Sequence, residues 1–524
     1  MKKYGKMVSA ILVCAMSVTL FAGCGKDGKT NGKNGSDWDK LGDTGGVTLP
    51  LDDKNTKVTY FTTEDSQDDA NKLYIVEKYR EITGIDLELV VTPSSTATEK
   101  FSVLAASKKL PDIIGAGMNN NALNNIAQQG ALAAVDDYID KLPNYKKIFV
   151  DDDRYNWVSK SYQAADGKMY IFFGFDMQRD VNHGILYRKD IFDKHNIPMW
   201  NGPDEFYSAL KKLKGIYPDS YPFTAKYKEN IIDHLATSWG ITGFTPYYNE
   251  EEKVWKYSVN DPQMKTLLDY LKKLYNEKLL DPEFLTLTEA AWSSRMTQKD
   301  TSFVTFDWIG KLDIFSEQAK TSIPGYDLRY GNPIGPKGTI KTLSKVFNET
   351  AVSKNSRSEL AFRFLDFLLS PAGAALSTMG VEGETYTIDE NGTVKYTDFP
   401  ADKKVSITDL DEKYGLFQIS KRYDRRSCYF NFTEREQEAQ DKGVKENRLE
   451  PEDPILAFTE QERSAIMEKE SKIISSAKEA FVKYILSADS GDAAWNKWVQ
   501  ESKQLGADDI IKIYNEAQKR YDAQ

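Results

Sequence analysis

Between Lys57 and Val91 the chain passes from strand to helix and back to strand, and nothing else in the sequence limits the fold as much. Val58-Thr59-Tyr60-Phe61 is a run of β-branched and aromatic residues. Leu73, Ile75, Val76 and Tyr79 follow at helical spacing, Thr83-Gly84 stops that helix, and Ile85 to Val91 reads as a second strand. Two strands joined by a helix pair in parallel with a right-handed crossover, because a short turn cannot return the chain in the same direction. Phe101 to Ala106 then adds a helix, and Asp112-Ile113-Ile114 a short buried strand. The fold class is therefore α/β rather than all-α or all-β.

Later segments carry clear punctuation. Ser356 and Glu359 form a capping-box pattern ahead of Leu360, Phe364, Leu365 and Leu368, with Pro371 after the end. Thr459 and Glu462 repeat the pattern before a helix running through Ile466, Ile473, Ile474 and Phe481. Asn391-Gly392 lies between Tyr386-Thr387-Ile388 and Val394-Lys395-Tyr396, the arrangement of a hairpin. Trp495 and Trp498 stand three residues apart in a helical tail, where packing of that helix is their expected role.

The N-terminus predicts a destination. Lys2, Lys3 and Lys6 precede an apolar stretch from Met7 to Leu20, too short for a settled membrane span and suited to an export signal. It ends in Leu20-Phe21-Ala22-Gly23-Cys24, which resembles a bacterial lipobox, with Phe21 where that pattern usually has leucine. Residues 1–23 are thus read as signal peptide, and 24–52 as a lipid-bearing Cys24 and flexible tether. Seven glycines lie among polar residues between Gly25 and Pro50, giving a coil reach of about 30 Å. Removing the signal takes away three lysines and no acid, so the formal charge moves from −10 to −13. An acylated cysteine holds a body at a membrane without inserting it.

Composition narrows the chemistry. The chain has 524 residues, enough for two or three domains, and its 63 aromatic residues and 40% hydrophobic content exclude a disordered chain. The acidic balance argues against nucleic acid, since no net positive field collects phosphates. Three cysteines make no disulfide framework, and no Cys/His cluster suggests a metal. No phosphate-loop, dinucleotide, zinc-protease or serine-nucleophile motif occurs, so neither cofactor nor catalytic set is expected. A glycosidase needs only two carboxylates and has no short motif. A lipid-anchored polysaccharide hydrolase or lyase therefore stays open as an alternative.

Several blocks carry a family resemblance. They are Leu110-Pro111-Asp112-Ile113-Ile114, Ala127-Gln128-Gln129-Gly130-Ala131-Leu132, Asp136-Asp137-Tyr138-Ile139 and Gly184-Ile185-Leu186-Tyr187-Arg188-Lys189-Asp190. Asp281-Pro282-Glu283, Phe303 to Gly310 and Ser370-Pro371-Ala372-Gly373 follow in order. Together they resemble the family 1 extracellular solute-binding proteins, lipoprotein receptors of bacterial ABC importers for sugars. Gly380 to Tyr386 and the tail blocks Ala494-Trp495, Trp498-Val499, Leu505-Gly506-Ala507 and Ile513-Tyr514-Asn515 are similar to the large-lobed branch in Gram-positive bacteria.

The resemblance implies a two-lobe, type II periplasmic-binding-protein-like fold with three interlobe crossings, a ligand cleft and a helical C-terminal region. Lobe 1 is expected to combine 53–176 with 328–378, and lobe 2 to combine 177–327 with 379–524. The implied protein is a monomeric, lipid-anchored receptor on the outer face of the cell membrane. It would bind a carbohydrate, an oligosaccharide given its size, and deliver it to an ABC permease. An oligopeptide is the alternative ligand.

Sugars offer apolar faces to flat rings and paired hydroxyls to planar polar groups. Trp308 stands where the family places a stacking tryptophan, beside the acceptor Asp307, and Trp239 lies in a corresponding second-lobe segment. Trp292 and Arg295 occupy the polar stretch before Phe303. In an open α/β sheet the ligand meets the carboxyl ends of strands, which nominates Glu64, Asp65, Asn119 and Asn120. Arg179 and His183 lie at the first crossing, and Glu384 and Tyr386 in the block after Gly380.

Overall fold

The computed structural model describes residues 41–523 except 64–68, 94–95, 116–117, 119, 165, 391–392, 401–402, 404, 430–432 and 451. Nine strands form two sheets: β1 (Lys57–Thr63), β2 (Asp86–Thr92), β3 (Ile113–Ile114), β4 (Phe172–Phe175), β5 (His183–Arg188), β6 (Phe223–Thr224), β7 (Val304–Trp308), β8 (Leu328–Tyr330) and β9 (Val346–Val352). The first sheet has the order β2-β1-β3-β9-β4, and the second β8-β5-β7-β6.

The opening unit has the predicted form. β1 and β2 pair in parallel from Lys57 opposite Asp86 to Thr63 opposite Thr92. The helix between them, Tyr74–Thr83, buries Ile75, Val76, Tyr79 and Ile82 on one face. It ends at Gly84, whose φ of 71° is a left-handed conformation that a side chain disfavours. β3 joins β1 in parallel, while β9 runs antiparallel to both β3 and β4.

Three expected boundaries need correction. Residues 41–52 are no loose tether: Leu51 is buried, its N–H donates to Thr83 O at 2.8 Å, and Ala372 N–H donates to Asp43 O at 2.9 Å. Residues 328–330 do not begin the return to the first sheet. They form β8, antiparallel to β5, so the chain leaves the second sheet only after Tyr330. The described residues of 380–424 pack with the first sheet rather than with the second lobe. Phe175 N–H, on edge strand β4, donates to Lys421 O at 2.7 Å, and the Tyr414 ring meets Tyr74 edge-on at 5.6 Å. An edge strand with a free N–H needs a partner, and this segment supplies one.

The remaining C-terminal chain closes the second half. Helices Glu460–Leu486, Asp492–Gln504 and Ala507–Asp522 set Phe481, Trp495, Trp498 and Ile510 into the core around helix Pro262–Asn276. Trp495 and Trp498 are buried, and Trp498 Nε1–H donates to Val259 O at 2.8 Å. Thr459 and Glu462 form the predicted capping box. The Ser356–Glu359 box does not form, since helix Ser358–Leu369 starts later and the Ser358 hydroxyl turns back to Ser353 O at 2.8 Å.

Two crossings between the sheets lie side by side. Asp176 N–H donates to Lys345 O at 2.7 Å, and Leu343 N–H donates to Asp180 O at 3.1 Å. The Lys345 ammonium sits 3.1 Å from Asp176 and 2.9 Å from Asp180. Helix Glu434–Lys445, entered after the segment packed on the first sheet, joins them through Gln440. Its Oε1 accepts from the N–H groups of Asp180 at 2.9 Å and Val181 at 3.0 Å.

Candidate ligand-binding site

Strand register builds the site. β6 runs parallel to β7, so the residues following Thr224 emerge beside the end of β7. β5 runs antiparallel to β7, which sets His183 opposite Trp308 and Gly184 opposite Asp307. Residues far apart in sequence, His183, Lys226, Tyr227, Asp307 and Trp308, thus converge on the edge of the sheet that its strand ends form.

Trp308 keeps 38% of its surface exposed, unusual for so large an apolar side chain. Its ring lies over Gly310, where an added Cβ would fall 2.4 Å from the ring. Only a residue without a side chain leaves room for the indole in that place. Its backbone N–H donates to Asp307 Oδ1 at 2.8 Å, while Asp307 Oδ2 lies 3.0 Å from the Lys226 ammonium.

Lys226 is itself enclosed. It reaches Glu289 at 2.6 Å and stands 4.2 Å from the Trp292 ring centre and 5.3 Å from that of Tyr227. Burial opposes the charge of Glu289, but Lys226 and Lys311 together hold its carboxyl below the usual range. Burial, and then the Asp307 carboxylate, push the Tyr227 phenol upward, so it remains an O–H donor.

Beside this edge lies a cavity of about 260 Å³ lined by Asn182, His183, His234, Phe306, Tyr330 and Lys341 among others. The Phe306 ring is nearly parallel to His234 at 4.9 Å and to His183 at 6.2 Å. Burial lowers the pKa of both histidines, so the stack is neutral near pH 7. His183 Nδ1 is 3.1 Å from Asn182 Nδ2.

A second cavity, about 570 Å³, joins different parts of the chain. Asn125, Lys160 and Gln163 come from between β3 and β4, and Arg463, Arg520 and Tyr521 from the C-terminal helices. Among the described residues, no group of three or more His, Cys, Asp or Glu side chains is placed to hold a metal ion.

The structure separates the predicted residues. Trp308, Asp307 and His183 come together, and Arg179 lies in the first crossing just ahead of them. Trp239 is buried in the second core against Tyr270, with centroids 5.6 Å apart, and does not reach the edge. Trp292 is fully buried, its Nε1–H donating to Thr305 Oγ1 at 2.8 Å. Arg295 is held by the carboxylates of Asp281 and Glu283. Tyr386 is buried in the hairpin of Tyr386–Ile388 and Val394–Tyr396, and Glu384 is tied to Lys78 and Tyr74, each at 3.0 Å. Trp239, Trp292, Arg295 and Tyr386 are thus taken up in packing or ion pairs, while Glu384 stays exposed with its carboxylate already paired.

Glu64, Asp65, Asn119 and Cys24 lie outside the described residues. Asn120 opens helix Asn120–Gln128, but its side chain is likewise outside them. Sequence reasoning missed Lys226, Tyr227, His234 and Phe306. The signal that finds the first two is their place just past the carboxyl end of the parallel strand β6.

The chain belongs to the bacterial extracellular solute-binding proteins, whose family model matches residues 74–384. Lipoprotein LipO of Bacillus subtilis (strain 168) is 23% identical over 438 residues, 79% of each chain. Among solved structures, the alginate-binding protein AlgQ2 without calcium ion is similar at a TM-score of 0.67 and 21% identity, over 90% of this chain and 99% of that one. An HMO-binding, ABC-transporter-associated solute-binding protein from Bifidobacterium longum infantis gives 0.69 and 16%, again over 90% and 99%. The architecture is that of the two-lobe solute-binding fold.

Proposed function

We propose that this protein is a lipid-anchored extracellular receptor that binds an oligosaccharide between its two halves and hands it to an ABC permease. One observation carries the reading: an exposed Trp308 ring, packed against Gly310, beside the Asp307–Lys226 pair and the Tyr227 hydroxyl. A pyranose face stacks on such a ring while its hydroxyls meet the half-buried Lys226 ammonium and Tyr227 phenol, which the buried Asp307 carboxylate holds in place. Family membership supports the receptor role, and the saccharides in the names of the structural neighbours support the ligand class.

The reading is of a binding protein, not an enzyme. Glycoside hydrolysis takes two carboxylates facing one bond. At this edge Asp307 is engaged by Lys226 and by the Trp308 N–H. Calorimetric titration against panels of oligosaccharides and of peptides tests the function. An oligosaccharide is expected to bind without release of reducing ends, and binding of peptides alone would sink the proposal. Cys24→Ser is expected to move the protein from the membrane fraction to the medium, as the name of the lipoprotein relative suggests.

A further inference from the structure

The smaller cavity continues the face on which Trp308 stands. Residues directly opposite in an antiparallel pair share a face, and side chains alternate along each strand. The register of β5 and β7 therefore puts His183, Ile185, Phe306 and Trp308 on one face of the second sheet. The first three line the cavity, so it extends along that face from the exposed indole.

Its hydroxyls are largely spent within the protein. Ser238 donates to Leu235 O at 2.8 Å, Thr339 to Thr237 O at 2.8 Å, and Tyr330 to His183 O at 3.1 Å. Leu235, Ile334 and Ile340 add buried apolar walls. Of the two charged side chains in the lining, Lys341 is exposed, and Asp233 is half-buried with its carboxylate against Gly243.

What stays open is the edges of two imidazoles. Asn182 Nδ2 can only donate, so His183 Nδ1, 3.1 Å away, accepts, and the His183 proton sits on Nε2. The His234 side chain makes no hydrogen bond among the described residues, and its neutral ring holds one donor and one acceptor. A neutral amide matches such a lining. Its carbonyl and N–H meet ring nitrogens, and a methyl group covers the apolar walls. A bare hydroxyl leaves those walls uncovered, and a charged group finds no buried counter-ion there. The volume of about 260 Å³ exceeds the roughly 150 Å³ that holds a benzene, which leaves room for an acetamido group and the ring edge bearing it.

We propose that this cavity is a subsite for the acetamido group of an amino sugar, and that the ligand class is oligosaccharides containing N-acetylhexosamine. The proposal rests on the carbohydrate reading above and adds a substituent to it. Trp308 takes the pyranose face, and the stack of His183, His234 and Phe306 reads the substituent.

The test titrates the full-length protein with paired saccharides that share a linkage and differ by acetamido in place of hydroxyl. Chitin oligomers are set against cellulose oligomers, and N-acetyllactosamine oligomers against lactose-based ones. The acetamido member of a pair is expected to bind at least about tenfold more tightly. His234→Phe keeps the ring face but removes both nitrogens, and Ile334→Phe fills the cavity. Each should weaken the acetamido member about tenfold and its counterpart much less, whereas Trp308→Ala should weaken both alike. Thermal melts check that each variant folds, and His234→Phe carries the test if Ile334→Phe does not. Equal binding of both members, equal losses of both in His234→Phe, or binding confined to saccharides without an acetamido group overturns the proposal and leaves the receptor reading intact. Binding of no saccharide at all overturns both.

Discussion

The two sides of strand β7 use the same residue types for opposite ends. On one side Thr305 and Asp307 face inward, where Trp292 is fully buried, its N–H taken by Thr305 and its face covered by Lys226. At the open end Trp308 is left exposed over a glycine. Both indoles lie close to Lys226 or to its partner Asp307. The difference teaches that an aromatic beside charge is not by itself a binding feature. An indole whose N–H and faces are already satisfied holds the sheet together, and one left half open is available to a ligand.

Substitutions should split along this line. Trp292→Ala is expected to give the largest effect, a loss of about 3–5 kcal/mol in folding stability by denaturant titration, since it empties a core site. An unchanged midpoint would erase the distinction. Trp308→Ala should barely move stability, by less than about 0.5 kcal/mol. It should cost about 1–2 kcal/mol of saccharide affinity, roughly tenfold, by calorimetry. If affinity holds, the exposed ring is no platform.

Gly310→Ala sharpens the comparison further. The φ of Gly310 is −60°, which alanine adopts freely, so the fold should survive while the new methyl displaces the Trp308 ring. Affinity is expected to fall by several-fold, less than in Trp308→Ala, with the melting temperature nearly unchanged.

The smallest expected effect concerns pH. His183 and His234 have pKa values lowered by burial, so the unfolded chain binds more protons than the folded one below the ordinary histidine range. Their contribution to stability is present above pH about 6.5 and is lost as pH falls from there towards the lowered values. Between pH 5 and 7, His234→Phe should therefore show a shallower acid loss than the parent protein. Saccharide affinity should stay flat from pH 6.5 to 8, because His183 is already neutral there.

Much of the architecture was readable from one chain. The opening strand–helix–strand unit, the Thr459 capping box and the packing role of Trp495 and Trp498 follow from local rules, because periodicity and capping act over a few residues. Sheet membership did not follow. A three-residue strand such as Leu328–Tyr330 carries too little pattern to say which sheet it joins, and its pairing with β5 is decided by tertiary contact. The same limit explains Trp239 and Trp292, whose burial depends on elements distant in sequence. Arg295 was misread because its carboxylate partners, Asp281 and Glu283, come from a separate turn. Lys226 and Tyr227 were missed because a two-residue strand precedes them and no motif marks them.

The seam at Gln440 bears on how such a molecule moves. Three passes of chain are sewn together there, two by backbone hydrogen bonds and Lys345, the third by one side-chain amide gripping Asp180 and Val181. Three parallel straps behave like the leather spine of a book. They permit opening about the line of the spine and resist sliding one cover past the other. Pages bound that way meet in register each time they close, so a ligand held by one half finds the other half always at the same place.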